Sequence, residues 1–437
     1  MVVTDGPLSQ PLRGRPGTKA LPLADARAVG GPIPLGLLAC YAAVALAGWL
    51  AGSVVLLIAA PDLARRDPLA SGPVLAAHLV ALVVLPFAVT GASFHLLPVM
   101  LRNDVRHPAR LRLALPALAG GFLVAPGIAF DLAPLVWLGA AFVTVGLVLV
   151  LSELVGLVVH APRDRMLVAS RAGIVLVCLN VTAALVLGAL VFSHGDEPFV
   201  GVVHARWVLV HLNLAVIGWL TLLIVTVGRT LAPMLALAPT APPRRFPLTE
   251  LSVTAGLWVL VVGLATSSAP TSIVGASMVV IALGRFGVFV ARVARTRRIE
   301  FEGPLAHLLA GVVFLLQAVV LGFLVLGGAV SPGRALTAYV VFLLVGWAAG
   351  VTIGHLGKLL SLSLWAWWPP GPRPKQSSLY PRRVWITEAV AFAAGVELLA
   401  TGSLAGASIA TRAGAAAIVV SAGLAASGAL RTWRSRW

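Results

Sequence analysis

Long apolar runs follow one another from residue 33 to residue 430, separated by short breaks that carry charged residues, proline or glycine. A helix needs about 20 mostly apolar residues to cross a lipid bilayer. Twelve runs reach that length, so the pattern predicts an all-α, polytopic membrane protein with twelve transmembrane helices and the lipid bilayer as its main partner. The predicted spans are 33–60, 70–100, 112–130, 134–159, 168–192, 202–236, 249–267, 271–291, 303–328, 335–366, 384–404 and 407–430.

The composition agrees with a membrane protein and excludes other classes. Hydrophobic residues make up 59% of the chain and charged residues only 11%, whereas soluble domains average about 25% charged residues. A soluble enzyme, a secreted disulfide scaffold and a nucleic-acid-binding module are thereby excluded, and no nucleic-acid partner is expected. The two cysteines, Cys40 and Cys178, lie in separate apolar runs, so neither a disulfide framework nor a zinc site is predicted.

Basic residues are distributed unevenly between the two sides of the predicted membrane. Of the 32 lysines and arginines, 26 fall on the side that carries the N-terminus and five on the other side. Cytoplasmic loops are enriched in such residues, so both termini are predicted to be cytoplasmic, and the net charge of +17 reflects topology. The crowding of Ala, Gly, Val, Leu and Arg indicates a bacterial genome, and hence a bacterial plasma membrane. The expected domains are a disordered cytoplasmic tail over 1–32, a transmembrane domain over 33–430 and a basic cytoplasmic tail over 431–437.

The second, sixth and tenth predicted spans share short sequence features at similar positions. Leu-Ala-Pro-Met-Leu at 231–235 follows Leu-Leu-Pro-Val-Met at 96–100 by 135 residues, and the Gly-Trp pair at 346–347 follows that at 218–219 by 128 residues. This spacing predicts three repeats of four helices. The alternative is chance similarity, because Gly, Leu and Val dominate every span. A twofold relation between the halves of the chain would instead favour a transporter.

Two histidines have the same predicted depth in the outer half of the membrane. By helical rise, His78 lies about 12 Å and His211 about 13 Å from the outer ends of their spans. His204 precedes His211 by two helical turns and lies closer to the outer surface. Because neutral imidazole is a common metal ligand, His78 and His211 are candidate ligands of a haem iron or a copper ion, with His204 as a further copper ligand. The alternative is that each ring only donates a hydrogen bond to a neighbouring helix.

A second polar layer is predicted near the cytoplasmic ends of the spans. Its members are His95, Glu153, Arg229, His355 and Lys358. His307 falls at the membrane boundary, where contact with water and no special role are expected. Glu388 and Glu397 lie nine residues apart on the eleventh span, and the deeper Glu397 is expected to be the paired or protonated one.

Two segments resemble a known family. HLNLAVIGWLTLLIVTVGRTLAPML, which begins at His211, is similar to the His-Leu-(His/Asn)-Leu…Gly helix of divergent relatives of haem-copper oxidase subunit I, and GHLGKLL over 354–360 is similar to their Gly-x-x-x-Lys segment. These relatives include nitric-oxide-response membrane proteins and the membrane domain of actinobacterial copper nitrite reductases. The resemblance implies three arcs of four helices, haem ligation by His78, copper ligation by His211, and a redox protein or copper-containing partner.

The chain departs from the oxidases at residues that those enzymes need. The tyrosine expected four residues after the copper-ligating histidine is Ala215, and the seventh span over 249–267 has no histidine. Tyr339 stands where the tenth span of the oxidases has a His-x-His motif. Both haems and the copper ion would therefore lack ligands. A complete oxygen-reducing centre is not expected, and enzymatic activity is left open.

Three classes of function are consistent with these patterns. The first is a haem- or copper-binding relative of the oxidases in respiratory, copper or nitrogen-oxide metabolism. The second is a twelve-helix secondary transporter, although the loop over 101–106 lacks the glycines of the major-facilitator motif. The third is a structural membrane subunit whose histidines only pack helices. A haem spectrum and a metal analysis would separate the first class from the others.

Overall fold

The computed structural model describes residues 33–65, 69–164, 167–195, 197, 200, 202–239, 247–298, 300–368 and 371–435. The predicted N-terminal tail over 1–32 lies outside these residues. Within them, twelve helices are long and apolar enough to cross a membrane, which confirms the predicted all-α, twelve-helix architecture. In chain order they are α1 (Leu35–Arg65), α2 (Ser71–Leu101), α3 (Pro108–Ala129), α4 (Ala133–His160), α5 (Val168–His194), α6 (His204–Leu235), α7 (Leu248–Ala265), α8 (Ala269–Thr296), α9 (Gly303–Leu326), α10 (Ala335–Ala366), α11 (Arg382–Ala405) and α12 (Ser408–Arg434). A short 3-10 helix, Gln376–Leu379, lies between α10 and α11.

Several helices continue beyond their predicted ends, and α8 and α12 are two of them. The helix α8 extends past residue 291 to Thr296, and α12 extends through Arg434, so the first part of the predicted C-terminal tail is helical. Both extensions carry arginines in the last turn, including Arg295 and Arg431. Positive side chains interact favourably with the negative C-terminal end of a helix dipole, which favours continued helix at these positions.

Successive helices cross the bundle in opposite directions. An even number of crossings places the start of α1 and the end of α12 at the same face. This face carries the basic loops counted in the sequence, and we call it the basic face; the other is the opposite face. The helices α2, α6 and α10 all run from the opposite face to the basic face and are therefore parallel.

These three parallel helices form the centre of the bundle. Each contains a π-helical segment, Val80–Val84 in α2, Leu214–Thr221 in α6 and Val341–Ala349 in α10. The segment in α10 contacts those in α2 and α6. In α2, Pro86 follows the π-helical segment. Because proline has no N–H group, it cannot donate the helical hydrogen bond to the carbonyl oxygen of Leu82, and its ring displaces that carbonyl. The oxygen lies against α3, where a Cβ at Gly121 would be only 2.5 Å away.

Three helix pairs cross through reciprocal glycine contacts. In each pair, a Cβ at either glycine would lie within 2.6–2.9 Å of the carbonyl oxygen of its partner, which is 19 residues away in the sequence. Small residues let helix backbones approach closely inside a membrane, where the hydrophobic effect does not drive helix association. The pairs are Gly120 with Gly139 in α3 and α4, Gly256 with Gly275 in α7 and α8, and Gly395 with Gly414 in α11 and α12.

A second contact accompanies each glycine pair, seven residues further along the first helix. Here a glycine of the first helix lies against the backbone of a residue in the second helix, and this residue comes nine positions after the glycine in the sequence. The residues are Gly127 with Val136, Gly263 with Ser272, and Gly402 with Thr411. The same two contacts thus recur in every fourth helix pair, as three repeats of four helices require. Superposition of spans 1–4, 5–8 and 9–12 stays a prediction.

The outer surface of the bundle is apolar, and its centre is the most enclosed part. Large apolar side chains such as Ile58, Ile281 and Val390 are 64–73% exposed, as expected for contact with lipid. In contrast, 78% of the apolar stretch of α10 is buried. The ring of helices closes where α12 packs along α1, and Leu35 and Trp433 share one apolar cluster at the basic face.

Candidate functional site

The outer histidines lie at matching positions on two of the central helices. His78 on α2 and His211 on α6 each stand seven residues after the first residue of their helix. At a rise of about 1.5 Å per residue, both lie about 10 Å below the opposite-face end of the helix. Each comes just before the π-helical segment of its helix, and Tyr339 has the corresponding place in α10.

A hydrogen bond from Nδ1 orients each of the two imidazole rings. His78 Nδ1 is 2.8 Å from the carbonyl oxygen of Val74, and His211 Nδ1 is 2.9 Å from that of Ala184 on α5. Because a carbonyl oxygen can only accept, Nδ1 carries the proton of each neutral ring. The lone pair of each ring is therefore on Nε2. Metal-ligating histidines are held in the same way, with one ring nitrogen bound to a carbonyl or carboxylate and the other bound to the metal.

The His211 ring occupies space that a glycine leaves on α5. A Cβ at Gly188 would lie 2.8 Å from Cε1 of His211, so a larger residue would displace the ring. His78 and His211 are close enough to interact electrostatically with each other. Both side chains are half-buried. The two predicted ligands thus lie within electrostatic range of each other, and the His211 ring packs against α5.

His204 does not join them. It is the first residue of α6 and lies at the opposite face, whereas His211 is two helical turns deeper. Across the part of the chain that the structure describes, no three His, Cys, Asp or Glu side chains form a group that could hold a metal ion. The predicted copper site with His204 as a third ligand is therefore not assembled in this structure.

The third central position has a different chemistry. The Tyr339 hydroxyl donates to Asn213 Oδ1 at 2.9 Å, and Trp347 Nε1 donates to Thr221 Oγ1 at 2.7 Å. These bonds join α10 to α6 at both ends of their π-helical segments. Next to Tyr339 and Asn213, a cavity of about 130 Å³ opens among α6 to α10, and its other lining residues are apolar.

Two basic residues of the predicted inner layer each pair with a carboxylate. Lys358 Nζ on α10 is 2.8 Å from Glu302 Oε2, just before α9. Arg229 on α6 is 3.3 Å from Glu250 Oε1 on α7. Pairing offsets the desolvation that each charge suffers on burial. These ion pairs join different helices, so they belong to separate places in the bundle.

The acidic member of that layer, Glu153, caps a helix. Its carboxylate on α4 is 2% exposed and accepts a hydrogen bond from the backbone N–H of His107, the residue before α3, at 3.2 Å. His107 Nδ1 and Arg110 lie 3.0 and 3.1 Å from Oε1. A negative charge at a helix N-terminus is stabilised by the free N–H groups and the helix dipole. Glu153 therefore stabilises the start of α3.

The two inner histidines also have separate partners. His95 Nε2 on α2 is 2.9 Å from the hydroxyl of Ser363 on α10. His355 Nδ1 on α10 is 2.7 Å from the carbonyl oxygen of Val351 in the same helix. The five predicted residues of the inner layer are thus divided among several local interactions.

Two deeply buried ionisable residues form a cluster that the sequence patterns did not group. His307 on α9 is 1% exposed and Glu388 on α11 is fully buried. His307 Nε2 is 2.5 Å from Glu388 Oε2, and the Ser421 hydroxyl on α12 donates to Glu388 Oε1 at 2.7 Å. The expectation that His307 contacts water is wrong, because Phe392 and Gly354 pack against its ring.

Both carboxylates of α11 have partners. Glu397 accepts a hydrogen bond from Gln317 Nε2 of α9 at 2.9 Å, as expected for the deeper residue. Glu388, which was expected to be the less paired of the two, has the more enclosed site. The sequence did contain a signal for the His307–Glu388 pair. His307 and Glu388 stand four and six residues after the starts of two helices that both begin at the basic face, so their depths in the membrane are similar.

Comparisons with known proteins leave the site to be interpreted from its own chemistry. No protein-family model matches the chain, and no curated protein matches it. The helical architecture and the arrangement of buried polar residues are therefore the observations on which a function can be based.

Proposed function

We propose that this protein holds one redox metal centre, a haem iron or a copper ion, between His78 and His211. One observation carries this proposal. In each ring the Nδ1–H group donates to a backbone carbonyl, which leaves the lone pair on Nε2, and the two rings have matching positions on two central helices. Imidazole nitrogen is a ligand of both haem iron and copper.

The chemistry of the two rings fits such a metal. In each ring the Nδ1 hydrogen bond leaves Nε2 as the nitrogen that can act as a metal ligand. One metal ion bound to both Nε2 atoms would use the two rings together. Helix packing alone explains the Nδ1 bonds but assigns no role to the Nε2 atoms.

The residues around the pair have distinct tasks in this proposal. The carbonyl groups of Val74 and Ala184 hold each ring in the tautomer that leaves Nε2 for the metal. Gly188 has no side chain and so leaves the space that the His211 ring occupies. When bound, the metal supplies one-electron redox chemistry, and the surrounding spans separate it from bulk water.

The repeated architecture supports a link to divergent relatives of haem-copper oxidase subunit I. The glycine contacts between α3 and α4 recur between α7 and α8 and between α11 and α12, as three arcs of four helices predict. A transporter built from two related halves of six helices would not predict this spacing. Tyr339, bonded to Asn213, stands where the oxidases have ligands, so a complete oxygen-reducing centre is not part of the proposal. We extend it to a bacterial plasma membrane with the basic face in the cytoplasm, a redox or copper-containing protein partner, and a role in respiratory, copper or nitrogen-oxide metabolism.

The test is an absorption spectrum and a metal analysis of the purified full-length protein, produced with haem precursor and with copper in separate cultures. Bound haem gives a Soret band, and bound copper gives a stoichiometric metal content. His78→Ala and His211→Ala should each remove most of the bound metal.

The matched control is His160→Ala. His160 also bonds through Nδ1 to the carbonyl oxygen four residues earlier, at 2.9 Å, but it is exposed at the basic face. This variant should keep the metal. The proposal is wrong if the wild-type protein contains neither haem nor copper, or if the variants at His78 and His211 keep their metal.

A further inference from the structure

The cluster around His307 and Glu388 takes no part in the proposed metal centre, and it lies toward the basic face. We propose that the His307–Glu388 pair is a proton-binding site, with Nδ1 of His307 as the atom that takes up the proton. The site would function without a metal at His78 and His211.

The two ring nitrogens of His307 are in different situations. Nε2 is 2.5 Å from Glu388 Oε2, whereas Nδ1 is buried without a hydrogen-bond partner among the described residues. A neutral ring that donates from Nε2 to a carboxylate has its lone pair on Nδ1. This atom is therefore prepared to accept a proton.

The charge balance of the pair favours uptake of one proton. Before uptake, a neutral His307 and an ionised Glu388 carry one negative charge in a region where ions are costly. Uptake forms one N–H bond at Nδ1 with a proton from water and produces an imidazolium beside the carboxylate. The buried net charge becomes zero, and no other covalent bond changes. The Ser421 hydroxyl, which donates to Glu388 Oε1 at 2.7 Å, stabilises the carboxylate in both states.

Three polar side chains, Glu302, Lys358 and Tyr380, lie on the basic-face side of the pair. Glu302 and Lys358 form an ion pair, and their side chains are 18% and 10% exposed. Lys358 Nζ lies 4.8 Å from the centre of the Tyr380 ring. Tyr380 interacts electrostatically with both Glu302 and Glu388, so these groups are close enough to influence one another.

Other titratable groups of the neighbouring helices are already paired or point away. His355 on α10 interacts electrostatically with His307, and its Nδ1 is hydrogen-bonded to the carbonyl oxygen of Val351. Glu397 on α11 is held by Gln317, and Arg382 at the start of α11 pairs with Glu300 at 2.6 Å. Arg285 on α8 and Arg431 on α12 are exposed, and α12 faces the pair with the Ser421 hydroxyl. His307 and Glu388 are thus the pair that can change charge at this place.

The experiment is an NMR titration of the full-length protein in lipid nanodiscs, with 15N label in the histidine rings. The chain has nine histidines, and His307→Gln identifies the signal of His307. We expect this signal to change from neutral imidazole to imidazolium as the pH is lowered. A His307 ring that keeps one protonation state over the whole pH range in which the protein is folded would overturn the proposal.

Two variants and a control connect the titration to the pair. In Glu388→Gln the neutral amide cannot balance an imidazolium, so His307 should stay neutral at pH values where the wild-type ring is charged. Ser421→Ala removes the donor to Glu388 Oε1, so the pH of the transition should differ from that of the wild type. Glu397→Gln, on the same helix but bonded to Gln317, should titrate as the wild type does. An unchanged titration in both Glu388→Gln and Ser421→Ala would contradict the assignment.

Discussion

At the scale of single residues, the size of Gly188 determines where the His211 ring can lie. A Cβ at this position would be 2.8 Å from Cε1 of His211, so Gly188→Ala forces the ring or α5 to move. Overpacking of this kind costs about 1–3 kcal/mol of stability. We expect Gly188→Ala to lower the free energy of unfolding by this amount, measured by chemical denaturation in detergent, and to lower the metal content of the protein.

The control for this prediction is Gly156→Ala on α4. No atom outside its own helix backbone lies within 4 Å of a Cβ at Gly156, so the added methyl group meets open space. This variant should unfold as the wild type does. Equal stability of the two alanine variants would show that the His211 ring does not depend on the space at Gly188.

Tyr380 leads to a prediction about alkaline pH. Burial raises the pKa of Tyr380 above its ordinary value, and the nearby Glu302 raises it further. Above about pH 10, the unfolded chain releases this proton while the folded chain retains it. Stability must therefore fall as the pH rises through that range, because the folded state binds more protons.

Tyr380→Phe removes this contribution. The other two tyrosines of the chain are present in both proteins, so the difference between their unfolding curves isolates Tyr380. We expect the wild type to lose more stability than Tyr380→Phe between neutral pH and about pH 11. Parallel loss in the two proteins would mean that Tyr380 ionises as readily in the folded state as in the unfolded state.

The position of a candidate residue was predictable from the sequence only where it depends on a single helix. Helical rise along single spans predicted that His78 and His211 share a depth, and in the structure each stands seven residues after the start of its helix. The partner of His211 is Ala184, 27 residues earlier on another helix, and His307 and Glu388 are 81 residues apart. Such pairs depend on how helices rotate and pack, which hydrophobic periodicity within one span does not determine.

At the scale of helices, the glycine contacts between helix pairs are the most sensitive points. Gly275→Ala would place a methyl group against the backbone of α7, and Gly139→Ala and Gly414→Ala would do the same at the equivalent contacts. Each should lower the free energy of unfolding by about 1–3 kcal/mol, because two backbones would have to separate. Gly284→Ala, also on α8, meets open space and should be neutral. Unfolding in detergent measures all four.

The helices themselves were predicted well and their interruptions were not. Apolar runs identified all twelve spans because a bilayer demands length and hydrophobicity in each one. The π-helical segments have the same apolar composition as their surroundings, so hydropathy has no signal for them. The threefold repeat had a clearer signal than the Gly-Trp pairs, namely three glycines separated by seven and then twelve residues, repeated in three places.

At the scale of the whole molecule, the topology can be tested directly. Reporter fusions after Arg434 and within the loop over 102–107 should report the same side of the membrane. Fusions within the loops over 130–132 and 266–268 should report the other side. The positive-inside rule assigns the first group to the cytoplasm. A fusion after Arg434 that reports the outside would contradict the proposed orientation.

Because α12 closes the ring against α1, we expect that the order of the repeats along the chain is not essential for folding. Leu35 and Trp433 share a cluster at one face, so a short linker can join the ends of α1 and α12. New ends can then be opened between α4 and α5, at the same face. We expect this circular permutant to insert and fold, since the first four helices would simply be synthesised last and every helix would keep its direction. Its unfolding in detergent should match that of the wild type, whereas a permutant opened between α2 and α3, within a repeat, should be less stable.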